Sequence, residues 1–261
     1  MDLHLQGKVA LVVASSQGLG KAIAKALVLE GAHVMLNGRH QDKLLEVQQE
    51  LEALQGGKVS YCTADITKAE DVHRLVQETR NVYGKVDILI NNAGGPPSGS
   101  FEQLTDEDWQ NAFELNLLST IRMIREVLPD LKEAGGKIIN IASSSVKQPI
   151  PGLILSNTFR LGMVGLAKTL AEELAPHKIL INTVAPGRIA TDRLAYLNQV
   201  KADKLGMTRE EIEAESLESI PLGRFGEPDE FAKVVAFLVS DANSYMTGST
   251  FLVDGGLIKS I

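Results

Sequence analysis

Seven short, nearly continuous apolar runs punctuate the chain, and amphipathic stretches of helical period fill the gaps between them. The runs are 8–14 (KVALVVA), 33–37 (HVMLN), 58–64 (KVSYCTA), 86–91 (VDILIN), 137–142 (KIINIA), 179–185 (ILINTVA) and 249–254 (STFLVD). They are rich in β-branched residues and lack polar alternation, which marks strands covered on both faces, as in a parallel sheet. Gly31, Gly84 and Gly135 stand where helices should stop, and Pro228 where one should start. Regular strand–helix alternation predicts right-handed crossovers and a doubly wound parallel α/β sheet of seven strands. The least regular parts are 94–104, 143–155 and 187–208. In such a sheet, loops beyond the carboxyl ends of the strands build the ligand site. The helical stretch FELNLLSTIRMIREVL is apolar around much of its circumference, more than one sheet face needs, and this predicts a homo-oligomer.

With 261 residues the chain is sized for one α/β domain, read as spanning 1–261 with a substrate or lid loop around 187–220. A net charge of −7 disfavours nucleic acid and anionic membrane as partners. The single cysteine, Cys62, sits in an apolar run and reads as a buried strand residue; no group of residues has metal-ligand spacing. No apolar run is long enough for a membrane span, and the start MDLHLQGKVALVV has no basic segment or small-residue cleavage site, so the expected compartment is the cytoplasm.

Candidate chemistry begins at VVASSQGLGKAIAKAL, which follows the first strand and opens a helix. Gly18 and Gly20 let backbone approach a ligand, and the helix N-terminus favours a pyrophosphate; Ala14 stands where a first glycine would be expected. The second strand ends LNGRH. Gly38 offers no carboxylate for ribose hydroxyls, whereas Arg39 suits a 2′-phosphate, which points to NADP(H) over NAD(H).

These features, with Ala64–Asp65, NNAG at 91–94, ELN ending at Asn116, IINIASS bringing Ser143, APGRIAT at 185–191, PLGRFGEPDEFAKVVAFLVSD and TGSTFLVDGG, give a whole-length resemblance to the classical short-chain dehydrogenase/reductases. The likeness is strongest to 3-oxoacyl-(acyl-carrier-protein) reductases and glucose-dehydrogenase-like members. The resemblance implies a Rossmann-type fold, a tetramer and a carbonyl or alcohol substrate. It implies cofactor contacts from Ser15, Ser16, Gln17, Gly18, Leu19, Gly20, Arg39, Asp65, Ile66, Asn92, Ala93, Gly94, Arg160, Pro186, Gly187, Ile189 and Thr191.

The family's catalytic unit is Asn, Ser, Tyr and Lys. Asn116 and Ser143 match it. The tyrosine and lysine, four apart on one helix, fall on Ser156 and Arg160 both by counting thirteen residues on from Ser143 and by counting back from GLAKTLA. A serine hydroxyl is a far weaker acid than a phenol and too short to replace it, and losing a general acid typically costs about 10²- to 10⁴-fold in rate. Tyr196, the serines 143–145 acting through water, and Lys147 are substitute donors; the five histidines are scattered away from the expected site loops. Arg160, Lys147 and Arg188, if gathered at one end of the site, would suit an anionic ligand. Three functions stay open: an NADP(H)-dependent oxidoreductase with an altered proton relay, a catalytically degenerate NADP(H)-binding sensor or regulatory subunit, and a lyase or isomerase reusing the pocket.

Overall fold

A computed structural model describes residues 2–260. Its chain order is β1 (Val9–Val12), α1 (Gly18–Leu29), β2 (His33–Gly38), α2 (Gln41–Glu52), β3 (Val59–Thr63), α3 (Ala69–Tyr83), β4 (Ile88–Asn91), α4 (Asp106–Phe113), α5 (Ser119–Ala134), β5 (Gly136–Ile141), α6 (Ile154–Leu174), β6 (Ile179–Pro186), α7 (Asp192–Leu205), α8 (Arg209–Ser219), α9 (Pro228–Val239) and β7 (Thr250–Val253). The seven strands form one parallel sheet in the order β3-β2-β1-β4-β5-β6-β7. Every predicted run became a strand, with ends moved by one or two residues.

Alternation along the strands fixes the layers. Ala10, Val12, Val34, Leu36, Ile88, Ile90, Ile139 and Ile141 point to one face, where they pack with α1, α2 and α9. Leu11, Val13, Met35, Leu89, Ile138 and Ile181 point to the other, under α3, α5 and α6. Both faces are therefore apolar, as the unalternating runs required. Gly84 and Gly135 are helix C-caps at φ 89° and 79°, a region where a Cβ is strained. Pro228 opens α9, where its missing N–H costs no helical bond. Between α4 and α5 the chain makes one π-turn, Glu114–Leu118, which carries Asn116.

One stretch read as irregular is helical. Residues 187–208 include the whole of α7, and α8 follows directly. The Thr191 hydroxyl accepts from Leu194 N at 3.4 Å to cap α7, and Thr208 makes a reciprocal box with Glu211 to start α8. Loops 94–104 and 143–155 are irregular apart from short 3-10 turns at Phe101–Gln103 and Ser144–Val146 and the first two residues of α6. Among the described residues, no helix is long and apolar enough to cross a membrane.

Candidate active site

At the carboxyl ends of the strands lies a cavity of about 770 Å³. Ligand sites of small-molecule proteins span about 300–1,000 Å³. The glycine turn after β1 forms part of its wall through Ser16, Gln17, Gly18 and Leu19. Ala14, the residue in place of the first glycine, adopts φ 49°, a left-handed conformation that costs a Cβ-bearing residue about 1 kcal/mol or more. The turn keeps the glycine geometry without the glycine. It is pinned by Asn92, whose Nδ2 donates to the carbonyls of Val13 and Ala14 at 3.3 and 3.1 Å. A Cβ on Gly20 would run into the Ala14 carbonyl and lie 2.7 Å from Asn92 Nδ2. Gly20 and the fully buried Ser15, whose hydroxyl donates to Val12 O at 2.8 Å, therefore hold the turn and do not line the cavity.

One end of the cavity is cationic: Gly38, Arg39, His40 and Lys43 line it, with Arg39 and Lys43 exposed. Lys43 escaped the sequence reading. It lies in the first turn of α2, close behind Arg39, so a forecast of α2 could have found it. Asp65 and Ile66 line the middle, with the Asp65 carboxylate accepting from Thr67 N and Oγ1 at 3.0 and 2.8 Å. Asn92, Ala93, Gly94, Pro186, Gly187, Ile189 and Thr191 complete the wall.

At the opposite end stand Ser143, Ser156 and Arg160. Ser156 and Arg160 are one turn apart near the start of α6, so both project from one helix face. Ser143 Oγ accepts from Ser145 N at 3.2 Å, which leaves its O–H free to donate into the cavity. Arg160 is only 6% exposed. Its guanidinium donates to Ile141 O at 2.7 Å and Ala93 O at 3.2 Å, tying the ends of β5 and β4 together. Burial, followed by the nearby charge of Arg193, pulls its pKa down to about 10. Holding it charged therefore opposes folding, a penalty present at every pH below that value.

Four further candidates lie outside this wall. Asn116 is buried on the π-turn, and its Nδ2 donates back to Ala112 O at 3.1 Å. Lys147 caps the 3-10 turn after Ser143 and is exposed, because four residues of turn carry it past the cavity rim. Arg188 is pushed off its ordinary pKa by burial, but it donates to Asn198 Oδ1 at 3.4 Å beneath α7. Tyr196 is 54% exposed on the outer side of α7, its ring 5.4 Å from the Arg193 guanidinium carbon. The three cations expected together are thus not together. Arg193 takes the place of the other two: it lines the cavity with Leu194 and Leu197, and burial lowers its pKa. The Thr191 cap plus helical period was the available signal, since Arg193 and Leu197 share one face of α7.

The residues fit a dinucleotide: a glycine turn at a helix start, cations at one end and hydroxyls at the other. Comparison with known proteins agrees. A family model described as enoyl-(acyl carrier protein) reductase matches residues 13–258. The chain is 36% identical over 258 residues to a 3-oxoacyl-(acyl-carrier-protein) reductase of Aquifex aeolicus, covering 98% of this chain and 100% of that one. It is 38% identical to human dehydrogenase/reductase SDR family member 4, covering 97% and 88%. Among solved structures it is similar to the L-sorbose reductase of Gluconobacter frateurii complexed with NADPH and L-sorbose, with TM-score 0.95, 33% identity and both chains fully covered. It is also similar to an actinorhodin polyketide ketoreductase with NADPH, with TM-score 0.92, 32% identity and 96% and 97% covered.

Proposed function

This chain belongs to the short-chain dehydrogenase/reductases, an oxidoreductase family, and we propose that it reduces a small carbonyl compound, or oxidises the matching alcohol, with NADP(H) and an altered proton relay. One observation carries the reading: a single cavity runs from Arg39 and Lys43, past the glycine turn, to Ser143, Ser156 and Arg160. Arg39 and Lys43 would hold the 2′-phosphate, the turn 16–19 the pyrophosphate, and Asp65 and Ile66 the adenine side. The bound nicotinamide supplies or accepts the hydride. Ser143 donates its free O–H to the carbonyl oxygen. The Arg160 charge, set in a low-dielectric wall, stabilises the negative charge that grows there. Ser156 leaves space where a phenol would stand, and the proton is delivered from water through the two serine hydroxyls. The helices α7 and α8 form the lid of this reading.

The test is loss of NADPH absorbance with a panel of small aldehydes and ketones, repeated with Ser143→Ala. Turnover should fall by about 10²-fold in the variant, the lower end of what a positioned acid contributes. Turnover that ignores Ser143 would remove it from the relay. A second reading, an NADP(H)-binding sensor or regulatory subunit, draws on Ser156 standing where the acid should be. Tight NADPH binding with no turnover across the panel would establish it.

The oligomer we infer is a homotetramer. Support comes from Leu161, 53% exposed on α6, and Phe101, 71% exposed against Trp109, which itself stacks edge-on with Phe159. Light scattering at micromolar concentration should return four copies; a monomer would remove this part of the reading.

A further inference from the structure

Arg160 and Arg193 both line the cavity, close enough for the charge of Arg193 to act on Arg160, and among the described residues no carboxylate lies within ion-pair distance of either. Resting on the oxidoreductase reading above, we infer that this end binds the carboxylate of a short oxo acid, with Arg193 the residue that selects for the charge. The buried guanidinium of Arg160 and the half-buried one of Arg193 have no counter-ion, so they repel each other and stay poorly solvated. A monoanion between them relieves both costs at once, and the planar fork of each matches a carboxylate.

Arg193 is built into place. Its Nη2 donates to Pro96 O at 2.8 Å. A Cβ on Gly95 would lie 2.7 Å from that nitrogen and 2.9 Å from Cζ, so the bare glycine is what lets the guanidinium lie against the loop. The Tyr196 ring flanks it at 5.4 Å. A cation fixed in advance loses little freedom on binding. Glu114 also lines the cavity, yet its carboxylate accepts from Gln110 Nε2 at 2.8 Å and pairs with neither arginine. It does not serve as the missing counter-ion. Leu115, Leu153 and Leu197 line the same cavity. Their apolar surface suits the chain of an oxo acid and penalises a doubly charged phosphate, whose desolvation costs more.

Calorimetric titration of the protein, with and without saturating NADP⁺, tests this using pyruvate, levulinate and their methyl esters. At least one acid should bind about 10- to 100-fold more tightly than its ester, the worth of a hydrogen-bonded charge. Arg193→Met should erase that acid-to-ester ratio, and Arg193→Lys should keep part of it, with melting curves showing that both variants fold. Equal binding of acids and esters, or a ratio that survives Arg193→Met, overturns the inference. Inorganic phosphate displacing the acid at lower concentrations than the acid itself requires would reassign the anion and overturn it too. The ratio is read from binding, so it stays informative if NADPH turnover fails, and the two failures are distinguishable.

Discussion

Replacing Ser156 by Tyr and Arg160 by Lys together should raise turnover on simple neutral ketones by about 10²-fold or more, the usual worth of a general acid. The two positions are one turn apart at the start of α6, and both already face the cavity that Ser143 lines. A phenol from position 156 reaches farther than a serine hydroxyl, and an ammonium at 160 would lower its pKa toward neutrality. Lysine also frees space, because the Arg160 guanidinium now spans Ile141 O and Ala93 O. The same double variant should lose affinity for carboxylate-bearing substrates, since a point charge does not replace a fork. Gain on ketones with loss on acids marks a reductase repurposed by these two substitutions. No gain on any ketone, from a variant that folds and binds NADPH, would mean that the two side chains are not what limits carbonyl chemistry here.

The sheet and its helices were legible because each strand carries an unbroken β-branched run that only a doubly covered strand tolerates. Position 156 and position 160 could be placed on one helix face from spacing alone, and both line the cavity. The misplacements share a cause. Pattern shows which residues share a face, but not which long side chains turn inward from a loop. Arg188 and Arg193 sit five apart, and only the rotation of α7 sends Arg193 over Gly95 while Arg188 goes to Asn198. Ser15 and Gly20 belong to the glycine turn and hold its shape. Tyr196 drew notice as a phenol, but it is the exposed cover of a cation. The helix α8 had a readable start, since Thr208 and Glu211 spell a capping box.

Cofactor choice should turn on Arg39. Arg39→Asp should weaken NADPH by about 10²-fold while leaving NADH the same or tighter, so the preference reverses. A hydrogen bond to a charged group is worth about 1.5–3 kcal/mol, and the new carboxylate adds repulsion toward a 2′-phosphate. The neighbouring position is tighter: a Cβ on Gly38 would lie 3.3 Å from Ser16 Oγ and 3.4 Å from Leu44 Cδ2, so an acidic residue there needs those side chains to give by a few tenths of an ångström. An aspartate at 39 instead starts from open solvent at the cavity mouth. Lys43 lines the same end and keeps part of the attraction, so Arg39→Asp with Lys43→Ala should deepen the reversal. Both cations are exposed, and exposed charges are screened over about 10 Å at 0.1 M salt. The NADPH affinity of the unaltered protein should therefore fall with ionic strength more steeply than its NADH affinity. Fluorescence titration with both cofactors, at low and high salt, reads all three expectations. Equal affinities for NADPH and NADH, before and after the change, would leave Arg39 a surface arginine and remove the basis for preferring NADP(H).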